Sequence, residues 1–217
     1  MDISGTLVSF PYLSLMRNII SVCLHYLYMF NRVYQADFCT SIMDRIAKFS
    51  SNDDEMNLEH LFNIGLSHAK RGKPRDAIFY FDKVLSVEPY HVNALVNKGN
   101  ALGKLGKYEV AITIYDTALK IKPDHSVCLL NKGLACHYLK KYEEAISCYN
   151  TILSQNPENA NALYHKACTK SLQRNIDGAL ELLEQAIRID SEFATKASRD
   201  KDFESIRSDT RFKALTA

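Results

Sequence analysis

Residues 95–112 read LVNKGNALGKLGKYEVAI and residues 129–146 read LLNKGLACHYLKKYEEAI, nearly the same stretch written twice at a spacing of 34 residues. Aligning the chain on Pro89, Pro123 and Pro157 extends the repetition in both directions. Leu61, Leu95, Leu129 and Leu163 fall in one column, and Gly65, Gly99, Gly133 and Ala167 in another. Ala77, Ala111, Ala145 and Ala179 share a third, Phe81, Tyr115, Tyr149 and Leu183 a fourth, and Val84, Ala118, Ile152 and Ala186 a fifth. Four copies run over 58–91, 92–125, 126–159 and 160–193.

A copy of this length holds two helices of three to four turns joined by a short turn. Within the first helix the apolar and small places recur at three- and four-residue intervals (Leu95, Gly99, Leu102), and within the second likewise (Ala111, Tyr115, Ala118), which gives each helix one buried stripe. The glycine column is expected where paired helices approach most closely. Gly72 and Gly106 stand where a first helix ends in a left-handed residue. The proline column stops the second helix, because proline biases its predecessor away from the helical region and has no N–H to give. The fold class is therefore all-α.

These columns resemble the tetratricopeptide repeat family, whose pattern asks for a bulky residue, Gly, an aromatic, Ala, an aromatic and Pro at fixed offsets. The second copy offers Leu95, Gly99, Leu102, Ala111, Tyr115 and Pro123. The resemblance implies a right-handed superhelical solenoid of antiparallel helix pairs, acting as a non-enzymatic protein-binding scaffold. Lys98, Lys132 and Lys166 depart from the family by standing where an aliphatic is usual, so their stems are expected to run along the helix surface. The fourth copy departs further, with Ala167 for Gly, Leu183 for the aromatic and Ser191 for Pro. Residues 194–217 resemble the closing segment of such arrays, with Phe203, Ile206, Phe212 and Leu215 spaced to cover the last helix pair.

With 217 residues, 47% hydrophobic and 24% charged, the chain has the composition of a folded protein. Its net charge of +2, with signs interspersed, leaves no electrostatic footprint for nucleic acid. The six cysteines form no CxxC pair, which favours reduced thiols and a cytoplasmic setting. Residues 1–50 are rich in Leu, Ile, Tyr and Phe, but Arg17, His25 and Arg32 interrupt any run of the roughly 20 apolar residues a bilayer core requires. They are expected to be a helical segment against the array. The rival reading is a membrane anchor, which would make the chain a tethered assembly factor, and a translation start at Met43 or Met56 is a third. Residues 51–57 read as a linker and helix start.

Catalytic signatures are missing from the sequence. No HExxH pair, Walker loop, dinucleotide-binding glycine fingerprint or nucleophile elbow occurs, so no metal, cofactor, catalytic residue or small-molecule substrate is expected. Cys136 and His137 are adjacent, which makes their side chains diverge on a helix and reads as a packed thiol and a surface imidazole.

The expected partner is a protein or peptide. In the family the first helices line the concave groove, and there Asn63, Asn97, Asn131 and His165 share a column. Beside them stand Phe62, Val96, Leu130 and Tyr164, with Leu66, Asn100, Leu134 and Cys168 one turn on. An Asn amide carries both a donor and an acceptor and so fits a peptide unit whatever the partner's side chains. Some cochaperone members of the family hold a terminal carboxylate with two asparagines and three cations. Over copies two to four those places hold Asn100 and Asn131, but Val96, Asn161 and His165 replace the cations. A chaperone terminus is therefore the lesser alternative.

Overall fold

The computed structural model describes residues 57–217, all of which are helix, turn or short connection, with no strand among them. The readings of residues 1–50, and of all but the last residue of 51–57, lie outside the described residues. Leu58–Ala217 form one unit. The first described helix, α1, covers 57–70, and seven further helices complete four helix pairs with it. They are α2 (Pro74–Val87), α3 (Val92–Lys104), α4 (Tyr108–Ile121), α5 (Ser126–Tyr138), α6 (Tyr142–Gln155), α7 (Ala160–Leu172) and α8 (Ile176–Ile189). The chain closes with α9 (Glu192–Arg199), a 3-10 helix (Lys201–Ile206) and α10 (Thr210–Leu215).

Local chemistry sets the helix ends. The first helices of copies two to four are capped by His91, His125 and Asn159, one column, whose side chains accept from the backbone N–H of Ala94, Cys128 and Ala162. Gly72 and Gly106 take positive φ at the turn that follows the first helix. Lys140 and Arg174 occupy the same column and also take positive φ, at 61°, so the turn geometry is kept where glycine is absent. Helices α2, α4 and α6 stop two residues before Pro89, Pro123 and Pro157.

The columns are the core. Ala77, Ala111, Ala145 and Ala179 are all fully buried, as are Phe81, Tyr149 and Leu183. The glycine column is needed for a reason other than the backbone approach read from the sequence. A methyl at Gly65, Gly99 or Gly133 would meet the ring of Phe81, Tyr115 or Tyr149 at 2.7, 2.4 and 2.5 Å. Each ring of a second helix thus occupies the space left by the missing side chain of its first helix. In the fourth copy Leu183 replaces the ring and Ala167 keeps its methyl, so both departures arise together.

Lys98 and Lys132 do more than lay their stems along the helix. Lys98 Nζ lies 2.6 Å from Asp82 and Lys132 Nζ 2.6 Å from Asp116, each joining a first helix to the second helix of the preceding copy. Burial is the largest influence on Lys132 and opposes its charge, but the hydrogen bond to Asp116 and that carboxylate's charge together outweigh it and raise the lysine's pKa. For Lys166 of the fourth copy the corresponding place on the third copy holds Asn150, and burial lowers the pKa of Lys166 instead.

Candidate functional site

The face shared by the first helices α1, α3 and α5 opens into a cleft of about 670 Å³. Leu66, Ala69 and Lys70 of α1 form one wall, and Asn131, Leu134, Ala135 and Tyr138 of α5 the other. Between them α3 supplies Asn97, Asn100, Ala101, Gly103 and Lys104, while Pro74, Tyr108 and Tyr115 reach in from second helices. Rings of Tyr108 and Tyr138 stack at 4.9 Å, and Tyr138 remains 61% exposed.

Asn100 is the centre of the polar floor. Its Oδ1 accepts from the buried Tyr115 hydroxyl at 2.8 Å and from Asn131 Nδ2 at 2.7 Å. Burial raises the pKa of Tyr115, which keeps its hydroxyl protonated as the donor. Among the described residues, Asn100 Nδ2 and Asn131 Oδ1 have no hydrogen-bond partner, so the pair leaves an amide NH2 and an amide oxygen to offer. Asn97 instead donates to the Asn93 carbonyl of its own helix at 2.8 Å.

Other residues of the expected groove lie elsewhere. Asn63 is exposed on α1 outside the cleft. Val96 and Tyr164 are buried at 4% and 0% exposure and cannot offer an open apolar row; their column packs into the core instead. Phe62 is half-buried, its ring 5.2 Å from that of His91 and 5.8 Å from that of Phe81, and Leu130 is half-buried against Cys136 and Tyr149. Open apolar surface comes instead from Leu66 and Leu134, one turn on, together with Ala69 and the two tyrosines. The tyrosines gave a weak signal in sequence, since they stand at the helix ends where exposed aromatics are common.

At the fourth copy the chain covers its own inner face. The Tyr164 hydroxyl donates to Asp200 at 2.7 Å, His137 Nε2 pairs with Asp202 at 3.0 Å, and Phe203 is fully buried with its ring 5.8 Å from that of Tyr164. His137 is therefore buried, a correction to its reading as a surface imidazole: the 3-10 segment lies over it, and its Nδ1 meets Thr169 at 2.9 Å. The same cover makes His165 difficult to charge; burial, then Lys196 and His137, bring its pKa down to about 4. Ligand atoms of Cys168, Asp200 and Asp202 lie within 4.8 Å of one another, but Tyr164 and His137 already engage the two carboxylates, which tie down the segment.

Cys128, Cys136, Cys148 and Cys168 are buried free thiols, and Cys23 and Cys39 lie outside the described residues. Burial pushes Cys128 and Cys136 up to about 12, away from nucleophilic chemistry. No helix among the described residues is long and apolar enough to cross a membrane.

Comparison with known proteins gives two family matches: a tetratricopeptide repeat model over residues 130–192, and the model for anaphase-promoting complex, cyclosome, subunit 3 over 70–152. No curated protein sequence matches significantly. Among solved structures, MamA 41-end from Desulfovibrio magneticus RS-1 superposes with a TM-score of 0.62 at 23% identity, covering 73% of this chain and 92% of that one. A tetratricopeptide repeat protein from Parabacteroides merdae ATCC 43184 gives 0.61 at 20% identity, covering 74% and 64%. The first tetratricopeptide repeat domain of Spaghetti (RPAP3), bound to the HSP90 peptide SRMEEVD, gives 0.52 at 25% identity, covering 54% of this chain and 93% of that one. Repeat columns, helix pairs and these likenesses agree that the chain is a tetratricopeptide repeat protein.

Proposed function

We propose that the chain is a non-enzymatic scaffold whose cleft across copies one to three holds an extended segment of a partner protein. The observation that carries this reading is the Asn100–Asn131 pair, which leaves amide donor and acceptor groups in the lining of a mostly apolar cleft. A peptide unit is the group that uses both, and the apolar walls take its side chains. Tetratricopeptide repeats are a family of protein interaction modules, and the likeness to a domain bound to an HSP90 peptide supports a peptide as the ligand. A free terminal carboxylate fits less well. Of the three places that would need a cation, Val96 is apolar and buried, Asn161 is uncharged, and His165 is held neutral.

The test uses the full chain to recover partners and then titrates each against variants. Leu134→Arg, which puts a long side chain into the cleft, should abolish binding; Asn131→Ala should weaken it by about fivefold, because one amide hydrogen bond is worth roughly 1 kcal/mol. Melting midpoints recorded alongside separate binding from folding. Partners that bind Leu134→Arg as tightly as the parent would place the interaction outside the cleft.

A further inference from the structure

We infer that the segment held in the cleft is acidic and aromatic, an internal stretch with two carboxylates beside an aromatic ring. This inference rests on the proposed reading of the cleft as a peptide site. Charge is its first support. The cleft lining contains Lys70 and Lys104, one repeat apart in the same column, and no Asp or Glu. Neither lysine forms a salt bridge with a described residue; Lys104 Nζ has only the Ala69 carbonyl at 3.5 Å. Two exposed ammonium groups over a floor of amides favour carboxylates and penalise a basic segment.

The second support is the chain's own behaviour on the neighbouring repeat. The same inner face, at copies three and four, is occupied by Asp200-Lys201-Asp202-Phe203. There one carboxylate takes a hydroxyl proton donor, Tyr164, the other takes a cationic or N–H donor, His137, and the ring of Phe203 is buried beside them. Gly103 stands in the column of His137 and lines the open cleft, and Lys104 beside it supplies the positive group. The stacked Tyr108 and Tyr138 rings supply the aromatic surface. One repeat earlier Leu130 and Gly103 stand in the columns of Tyr164 and His137, so those two donors are not repeated, and Lys70, Lys104 and the stacked tyrosines are the groups that would receive an acidic and aromatic segment, while the closing stretch itself stays buried over copy four.

The experiment selects from a random library of ten-residue peptides, displayed with both ends joined to carrier so that no free terminus is offered, using the full chain as bait. Selection is repeated on Leu134→Arg and on the double variant Lys70→Glu, Lys104→Glu. The expected result is enrichment of peptides with two or more acidic residues near an aromatic, lost on both variants. A synthetic consensus peptide, blocked at both ends, should bind the double variant at least about tenfold more weakly than the parent, and should weaken from about 50 to about 300 mM salt. Lys120→Glu, remote from the cleft, should bind as the parent does. Enriched peptides that are neutral or basic yet lost on Leu134→Arg would overturn this inference and leave the cleft as a peptide site. Peptides insensitive to Leu134→Arg, or no enrichment at all, would overturn both.

Discussion

Gly133 and Tyr149 are fitted to each other: a methyl on Gly133 would lie 2.5 Å from Cε1 of the tyrosine ring, which is itself fully buried. Such a distance cannot be met without moving the ring. Gly133→Ala should therefore destabilise the fold by about 1 to 3 kcal/mol, the usual range for overpacking, despite alanine's better helix propensity. The fourth copy shows the remedy, since Ala167 faces Leu183. Adding Tyr149→Leu to Gly133→Ala should cost less than the two single changes summed, and a double-mutant cycle by urea unfolding measures the difference. Strict additivity would mean that the column pairs do not constrain each other.

The repeat and its helix pairs were legible because buried columns recur at fixed spacing and identity there is restricted by volume. What glycine faces was not legible. Sequence places Gly99 on the buried stripe but cannot say whether a backbone or the Tyr115 ring lies over it. The groove was read less well still, since Val96 and Asn97 are neighbours in sequence and a small rotation of the helix decides which one is open. Cover from the chain's own end was the hidden variable at copy four: Tyr164 and His165 occupy groove columns, but Asp200 and Phe203 lie over them. Asn100 and Asn131 stand in the right place, and only coordinates show that they bond to each other.

Four buried thiols should resist modification. With burial raising Cys128 and Cys136 to about 12, and raising Cys148 and Cys168 as well, few of them are thiolate at pH 8. Iodoacetamide treatment of the native full chain, followed by peptide mass spectrometry, should leave these four unlabelled, and labelling should rise only through the urea transition. Rapid labelling of Cys136 in the native state would show that α5 and α6 open locally.

His165 makes stability depend on pH. Its folded pKa of about 4 lies below the ordinary value of 6.5, so between those limits the unfolded chain binds a proton that the folded chain refuses. Stability should thus be fully present above pH 6.5 and fall as the pH drops toward 4, by an amount on the order of 3 kcal/mol. Carboxylates titrate in the same window, so the measurement is a difference: melting midpoints of the parent and of His165→Gln compared from pH 7 to pH 4.5. The parent should lose more of its midpoint over that interval. Parallel curves would show that His165 is protonated as readily in the fold as in the unfolded chain.

The closing segment should be required for folding because Phe203 lies inside the core that the last helix pair shares with it. Its ring lies 5.8 Å from Tyr164 of α7 and 5.6 Å from Phe212 of α10, and it has no exposed surface. Phe203→Ala should cost about 3 to 5 kcal/mol, the range for removing a buried phenyl ring, because the helix-borne neighbours cannot collapse into the space. Asp202→Ala should cost less, about 1 to 3 kcal/mol, by leaving one nitrogen of the buried His137 without its acceptor. Lys201→Ala, an exposed change on the same 3-10 turn, should cost almost nothing. The ordering Phe203 above Asp202 above Lys201 is read from urea midpoints of the three variants. If Phe203→Ala melts like the parent, the segment is an appendage, and the last helix pair is stable without its cover.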